Sequence, residues 1–257
     1  MIPLLVKFGG SVVTRQDSEG PFDSRNTARL AAELAETGAK CVVVHGTGLV
    51  GKPPALEHGY AQTGIIGADK QLVADRIRHS LRELNQRVVG ALLAAGLPAF
   101  SVDTPPLFAG TLDRVRHPDS LDGLRDLVRN GSVPVLHGDH VPCPDGRFRI
   151  LSSDTIMVLL ARELKPQRAV FLTDVEGVFA AGREDAPLSE LTPEILDRIA
   201  GLGNDGEDVS RGMRGKIEAA VTIAALGVPC RIASGRSPGV LNDLLQGRDR
   251  GTHVRVS

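Results

Sequence analysis

The sequence has few of the residues and segments that mark several classes of protein. It contains three cysteines among 257 residues: Cys41, Cys143 and Cys230. Three widely spaced cysteines supply neither a disulfide framework nor a zinc knuckle, so we expect a reducing cytoplasm and buried, unreactive thiols. No stretch approaches the roughly 20 apolar residues of a transmembrane helix. No basic segment precedes the apolar run at the N-terminus, so no signal peptide is expected either.

The sequence also lacks a strong net charge, and lysine is scarce. The formal net charge is −1 at pH 7, so the composition predicts no basic face for nucleic acid. Only six of the 30 basic residues are lysines. Where arginine is the usual cation, a lysine within a glycine-rich motif indicates a need for a compact point charge. The six are Lys7, Lys40, Lys52, Lys70, Lys165 and Lys216.

Strands and helices are predicted to alternate along the chain. Short apolar runs end near positions 8, 44, 136 and 172, and apolar residues recur at helical spacing over about 24–37, 67–95, 121–130, 155–164 and 213–226. This order predicts an α/β fold, a three-layer αβα sandwich with a mostly parallel central sheet. In such sheets ligands bind beyond the carboxyl ends of the strands. The apolar stripe of the 67–95 helix is expected to pack in the core or to wall a ligand pocket; it comprises Leu72, Ile77, Leu81, Leu84, Val88 and Leu92.

The first motif, residues 7–11, reads Lys-Phe-Gly-Gly-Ser at the end of the first predicted strand. Paired glycines let a backbone approach a phosphate, with unpaired N–H groups directed at its oxygens. Lys7 would add positive charge where negative charge develops in phosphoryl transfer. The spacing is not that of the P-loop. An ordinary strand-to-turn connection is the alternative interpretation.

A second glycine-rich loop follows the second predicted strand. Residues 45–52 read His-Gly-Thr-Gly-Leu-Val-Gly-Lys. Two such loops at neighbouring strand ends could hold two phosphoryl groups that face one another. A flexible strand-to-helix connection is the alternative.

Three further charged residues accompany glycine or strand-end motifs. Asp154 could orient two lysines or bind Mg²⁺ through water, or it could cap the following helix. Asp174, after an apolar strand, could meet a nucleotide or end a turn. Gly212 and Lys216 are predicted to open a helix, whose N-terminus favours anions. Lys216 would then be a second cation for the transferred phosphoryl group, unless it is a surface lysine.

Taken together, these motifs resemble the amino acid kinase superfamily over nearly the whole chain. The resemblance rests on residues 7–11, on the segment Phe171–Phe179, on Gly212–Lys216 and on Gly251–Thr252. Within the superfamily the isopentenyl phosphate kinases are the most similar group. Their pattern is matched by Ser11–Thr14, Val133–Asp139, Ser152–Asp154 and Glu163–Pro166.

The resemblance implies a single kinase domain that uses ATP and Mg²⁺, with a homodimeric assembly and no metal site made by protein ligands alone. About 1–150 would form the acceptor-binding lobe and about 151–257 the nucleotide-binding lobe. The implied catalytic residues are Lys7, Lys52, Asp154 and Lys216. The implied ATP-binding residues are Lys7, Gly9, Gly10, Ser11, Thr173, Asp174, Gly177, Val178, Phe179, Gly212, Met213 and Lys216. The implied acceptor-binding residues are Gly46, Thr47, Gly48, Lys52, His58, Gly138, Asp139 and Ser153.

The second loop departs from the family pattern. Lys52 stands where that group usually has a histidine that contacts the acceptor phosphate, and the lysine usual just after Thr14 is replaced by Arg15 and Gln16. Lys52 could clamp an anionic acceptor, or His58 could take its place, or His58 could be a plain surface histidine. The leading hypothesis is a kinase that acts on a small phosphate monoester such as isopentenyl phosphate. A carboxylate, carbamate, hydroxyl or phosphonate acceptor, and a non-catalytic nucleotide or oxyanion binder, are the alternatives.

Overall fold

The chain folds around one large, mostly parallel β-sheet. The structure, a computed structural model, describes residues 2–16, 20–60, 63–108, 121–180, 186–192, 195 and 209–255, without the side chains of 209–211. Eight strands form the sheet in the order β4-β5-β2-β1-β8-β10-β11-β9, and only the β10–β11 pair is antiparallel. Their bounds are β1 Leu4–Phe8, β2 Cys41–His45, β4 Ala99–Ser101, β5 Val133–His137, β8 Arg168–Thr173, β9 Glu190–Leu191, β10 Cys230–Ser234 and β11 Thr252–Val254.

Helices cover both faces of this sheet. Their bounds are α1 Gly10–Val13, α2 Ser24–Thr37, α3 Gly48–Glu57, α4 Gln71–Ala94, α5 Asp122–Arg129, α6 Ser153–Leu164, α7 Val209–Ala225 and α8 Val240–Leu245, with 3₁₀ turns at Ala68–Lys70 and Pro105–Leu107. A small second sheet, ordered β3-β7-β6, comprises β3 Ile65–Ile66, β6 Asp139–Pro142 and β7 Phe148–Leu151.

Successive side chains of the central strands point to opposite faces of the sheet, and this alternation produces two separate hydrophobic cores. Leu5 of β1 faces the core that contains α5, α6 and α7, whereas Leu4 and Val6 face the core that contains α2, the C-terminal part of α4, and α8. Successive side chains of a strand point to opposite faces, so strands buried on both faces read as continuous apolar runs. The predicted three-layer αβα sandwich is confirmed.

Several predicted elements needed correction at their ends. The 67–95 segment is a 3₁₀ turn followed by α4, and the stripe from Ile77 to Leu92 is buried, but Leu72 is 65% exposed. Helix α7 begins at Val209 rather than near 213. The sequence also predicts a helix near 193–201, and all of this range except Ile195 lies outside the described residues. In the described part of the chain no helix is both long and apolar enough to cross a membrane.

Candidate active site

The first glycine loop joins β1 to the short helix α1. Gly9 donates its N–H to the carbonyl of Leu172 at 2.9 Å, and a Cβ on Gly9 would lie 2.5 Å from that oxygen. Only glycine therefore fits at this position. The N–H groups of Gly10 and Ser11 donate to no acceptor among the described residues. Unpaired N–H groups on a tight turn form a concave site for an anion.

The second glycine loop, between β2 and α3, touches the first one backbone to backbone. Gly46 donates its N–H to the carbonyl of Phe8 at 2.9 Å, and a Cβ on Gly10 would overlap the nitrogen of Gly48. Within the described ranges, the N–H groups of Thr47 and Gly48 likewise have no acceptor. Two sets of free donors therefore lie side by side at the carboxyl ends of adjacent strands.

A partly buried ion pair lies beside these loops. Lys7 Nζ donates to Asp154 Oδ1 at 2.5 Å, and Lys7 is 3% exposed. The helix cap is Ser152, whose hydroxyl accepts the N–H of Thr155 at 3.0 Å. The interpretation of Asp154 as the cap is therefore wrong. It lies in the first turn of α6 and is the partner of Lys7.

Lys7 and Asp154 share their electrostatic environment with two more lysines. The pKa of Lys7 is lowered to about 8, chiefly by burial; Lys216 and Lys52 also lower it, and Asp154 raises it. Burial alone would raise the pKa of Asp154, but Lys7, Lys216 and Lys52 together hold it below the usual value. Three cations and one carboxylate thus act on each other, and the excess of positive charge suits a polyphosphate.

Lys52 and Lys216 approach the Lys7–Asp154 pair from two different helices, α3 and α7. Lys216 is 8% exposed and lies in the second turn of α7, so it is not a surface lysine. Lys52 lies in helix α3, not in a loop, and the helix continues through its neighbours Pro53 and Pro54. The φ angle that the proline ring fixes is compatible with a helix. Lys52 is exposed, yet its Nζ would be 3.3 Å from a Cβ on Gly212 in the first turn of α7. Its side chain therefore reaches from α3 to the first turn of α7.

The predicted nucleotide segment is tied to the first loop. Ser11 Oγ donates to Asp174 Oδ1 at 2.9 Å, and Thr173 Oγ1 donates to the same atom at 3.1 Å. Burial opposes ionisation of Asp174, but these hydrogen bonds and its own backbone N–H hold the pKa of this carboxyl below its usual value. Asp174 thus directly follows strand β8 and fixes the Ser11 side chain.

Other predicted nucleotide-binding residues shape the segment rather than face an open site. Val178 is buried and its N–H donates to Thr252 Oγ1 at 2.8 Å. A Cβ on Gly177 would be 2.7 Å from that hydroxyl oxygen. Met213 packs against the core that contains α6 and α7, and Phe179 is half-buried. Gly177 and Val178 therefore anchor the segment to the Gly251–Thr252 turn.

The predicted acceptor residues divide into two groups. Gly138 lies against the second loop, where its Cβ would be 3.0 Å from the Thr47 methyl group and 3.4 Å from the backbone nitrogen of Ser153. The Asp139 carboxylate is fully buried and accepts from Arg78 Nε at 3.0 Å, so it is not free to meet an acceptor. His58 caps the end of α3 and stacks on Tyr60, with ring centroids 6.3 Å apart. Within the described residues, His58 makes no hydrogen bond, ion pair or ring contact with Lys7, Lys52 or Lys216.

Sequence reasoning missed two groups around the site. Arg78 comes from α4, far from its partner in the sequence, and nothing local marked it. His45 and His137, the last residues of β2 and β5, are buried and stacked, with ring centroids 5.5 Å apart. The repeated His-Gly dipeptide at two strand ends was a signal that could have identified them.

The site thus has two facing loops with free N–H groups, and Lys7, Lys52 and Lys216 lie at their junction. This arrangement is the one expected of an enzyme that transfers a phosphoryl group. Comparison with known proteins gives the family. The model of the amino acid kinase family matches residues 3–234, and the chain belongs to that family.

Two relatives and one solved structure resemble the chain over its full length. The isopentenyl phosphate kinase of Methanothermobacter thermautotrophicus is 33% identical, over 98% of this chain and 98% of the relative. The isopentenyl phosphate kinase of Haloferax volcanii is 32% identical over the same shares. A structure described as "X-ray structures of isopentenyl phosphate kinase" is 31% identical, with a TM-score of 0.78 over 98% of this chain and 99% of that one. The glutamate 5-kinase of Gloeobacter violaceus is 29% identical and matches over 69% of its own length. The chain is thus an ATP-dependent phosphotransferase.

Proposed function

We propose that this enzyme transfers the γ-phosphoryl group of ATP to isopentenyl phosphate and forms a diphosphate. The observation that carries the proposal is the direct contact of two glycine loops, each with two free N–H groups, beside Lys7, Lys52 and Lys216. The similarity to isopentenyl phosphate kinases over the full chain supports the same acceptor.

In this proposal the first loop holds the ATP phosphates. The N–H groups of Gly10 and Ser11 bind phosphate oxygens, and Lys7 and Lys216 neutralise the charge that develops on the transferred group. Asp154 fixes the Lys7 ammonium through their hydrogen bond. The acceptor phosphate lies on the N–H groups of Thr47 and Gly48. That phosphate is already anionic at neutral pH, so positioning rather than a general base supplies the rate.

Lys52 is proposed as the cation that lies between the acceptor phosphate and the phosphoryl group that is transferred to it. Its side chain extends from α3 to α7, and it acts electrostatically on both Lys7 and Asp154. A fixed ammonium with three donors can contact the acceptor phosphate and the transferred group together. Lys52 would thus replace the histidine that is usual at this position.

Mg²⁺ is proposed to enter with ATP. Within the described ranges no three His, Cys, Asp or Glu side chains form a metal cluster. Mg²⁺ commonly keeps several waters and binds one or two carboxylates together with substrate phosphates, and Asp154 and Asp174 are the carboxylates beside the first loop. The bound ion would neutralise phosphate charge, while the protein's own lysines hold the phosphates in line.

Four further assignments belong to the same proposal. Residues up to about 150 would form the acceptor-binding lobe and the remainder the nucleotide-binding lobe. The enzyme would be a cytoplasmic homodimer. Its diphosphate product would enter isoprenoid biosynthesis.

A panel of acceptors with ATP and Mg²⁺ tests the proposal. We expect turnover with isopentenyl phosphate and little with glutamate, carbamate or a phosphonate.

Lys52→Met should lower kcat/KM by roughly 100-fold, the scale of one lost transition-state cation, whereas Lys52→His should keep much of the activity. Lys40→Met is the matched control, because Lys40 is exposed and binds only the Arg129 carbonyl among the described residues. Turnover of a carboxylate but not of isopentenyl phosphate would contradict the acceptor assignment.

A further inference from the structure

Two buried histidines lie directly behind the acceptor side of the proposed site. His45 ends β2 and His137 ends β5, and the two residues are partners across the parallel strands. Their rings stack with an interplanar angle of 24°. Each is followed by a glycine, Gly46 or Gly138, whose backbone borders Gly10 or Thr47.

Both imidazoles contact the carbonyl of the next residue. His45 Nδ1 lies 3.0 Å from the oxygen of Gly46, and His137 Nδ1 lies 2.9 Å from the oxygen of Gly138. A carbonyl oxygen can only accept a hydrogen bond, so Nδ1 must carry the hydrogen in both rings. The geometry therefore selects one tautomer at two places.

The charge state of the buried His45 ring decides which way the Asn85 amide must face. Burial and the neighbouring His137 lower the pKa of His45 to about 4, so the ring is neutral near pH 7. With the hydrogen on Nδ1, Nε2 has only a lone pair to offer. It lies 3.0 Å from the side-chain oxygen of Asn85, whose Nδ2 is 2.6 Å from Ser101 Oγ. A hydrogen on both ring nitrogens would make the ring charged, which burial disfavours. In the neutral ring Nε2 and the Asn85 oxygen are both acceptors and cannot bond, so the neutral ring requires the Asn85 amide to be turned by 180°.

The turned amide completes a chain of donors that ends at the second loop. The Ser101 hydroxyl donates to the Asn85 oxygen, the Asn85 NH₂ donates to His45 Nε2, and His45 Nδ1 donates to Gly46. In a trans peptide the C=O and N–H groups point in opposite directions. Fixing the Gly46 carbonyl therefore fixes the direction of the Thr47 N–H, one of the two free donors of this loop.

We propose that His45 is a positioning residue that holds the Gly46–Thr47 peptide so that the Thr47 N–H faces the acceptor's phosphate, with Asn85 selecting its tautomer. His137 holds Gly138 in the same way, and Gly138 supports the Thr47 methyl group. The inference rests on the proposed function for the identity of the acceptor. The tautomer itself does not depend on that function.

The first test reads the tautomer in the free wild-type protein. Histidine-selective ¹⁵N labelling with long-range ¹H–¹⁵N correlation distinguishes the Nδ1–H, Nε2–H and charged forms for each of the seven histidines. We expect His45 and His137 to be neutral Nδ1–H tautomers at pH 7. An Nε2–H tautomer or a charged ring at His45 would overturn the proposal, whatever the enzyme phosphorylates.

The second test separates the two hydrogen bonds of His45. In His45→Asn the amide nitrogen can occupy the place of Nδ1 and keep the Gly46 contact, whereas in His45→Gln it reaches the place of Nε2 and loses that contact. We expect the KM for isopentenyl phosphate to stay near the wild-type value in His45→Asn and to rise roughly tenfold in His45→Gln, the effect of one misdirected donor to a charged group. The KM for ATP should change in neither.

Val43→Ala is the matched control for lost stability. Val43 lies two residues earlier in β2, is fully buried and faces the other side of the sheet from Val44. This variant should melt at a lower temperature with an unchanged acceptor KM. Equal acceptor KM values for His45→Asn and His45→Gln at similar melting temperatures would refute the positioning role. If the wild type does not use isopentenyl phosphate at all, the proposed function fails, and the tautomer measurement still decides the hydrogen-bond chain.

Discussion

At the scale of single residues, lysine is the scarce cation of this chain, and three of its six copies meet at one place. Lys7 and Lys216 are buried, and Lys52 reaches them from an exposed helix. Asp154 is the one carboxylate among the groups that most affect the pKa of Lys7. An uncompensated cluster of ammonium groups is unfavourable in the free protein, so a bound polyphosphate should relieve this repulsion.

The lowered pKa of Lys7 sets an upper pH limit for the activity of the free enzyme. Below about pH 8 Lys7 is charged, and above it the ammonium loses its proton. We expect kcat/KM for ATP to fall by up to about tenfold per pH unit above pH 8. The decline in kcat should begin at higher pH, because bound phosphates favour the charged lysine. The measurement is a pH profile from 6.5 to 9.5.

Lys7→Arg serves as the control for this limit. Arginine stays charged throughout the range, so the decline near pH 8 should vanish even if the overall rate is lower. A wild-type profile that is flat to pH 9.5 would contradict a titration of Lys7. The folded-state pKa lies below the unfolded value, so the unfolded chain binds more protons between about pH 8 and 10.5. Stability from this group should therefore rise with pH in that window.

At the scale of elements, the two glycine loops form one structural unit. Gly10 and Gly46 pack on each other's backbones, and Gly48 has a positive φ of 48° beside Thr14. Side chains at these positions would force the loops apart. In the proposed function, the lack of side chains at these positions would therefore set the distance between the donor and acceptor phosphates.

Gly10→Ala tests this contact between the loops. Its Cβ would overlap the backbone of Gly48, so we expect the KM values for ATP and for the acceptor to rise together and the melting temperature to fall. Gly90→Ala is the matched control, since Gly90 lies on the exposed side of α4 with open space around it. That change should stabilise the fold by about 0.5–1 kcal/mol without a kinetic effect. Urea unfolding and steady-state kinetics measure both outcomes, and normal substrate KM values for Gly10→Ala would count against the idea.

The sequence predicted the parts of the site that strand ends supply. Lys7 lies near the end of the apolar strand β1, and the first glycine pair and Asp174 directly follow apolar strands. Parallel strands bring such ends together. The sequence could not show that the Asp139 carboxylate is paired with Arg78, because that partner lies 61 positions away. Nor could it place Lys52 in α3, since two consecutive prolines normally indicate a break in a helix. The roles of these residues in binding and catalysis stay predictions.

At the scale of the whole molecule, the sheet ends in an exposed strand. Strand β4 lies at one edge, and its Phe100 side chain is 53% exposed. Edge strands with apolar side chains are commonly covered by another chain or element. The proposed homodimer would cover this edge.

Light scattering after size-exclusion chromatography tests the assembly. We expect a mass of twice the 27.2 kDa chain. Phe100→Asp should shift the mass toward that of one chain, because burying a carboxylate at an apolar contact is costly. Leu72→Asp, at a residue 65% exposed near the start of α4, should leave the mass unchanged. A single-chain mass for the wild type would refute the dimer.

The central position of β1 has a consequence for synthesis of the protein. β1 pairs on one side with β2, which follows soon after it, and on the other with β8, where Leu4 meets Arg168. During translation the edge facing β8 stays unpaired for on the order of ten seconds, at rates of roughly 5–20 residues per second. A nascent chain thus exposes an apolar strand long before its second neighbour exists. Chaperone binding and slow-codon placement should therefore matter most between β2 and β8.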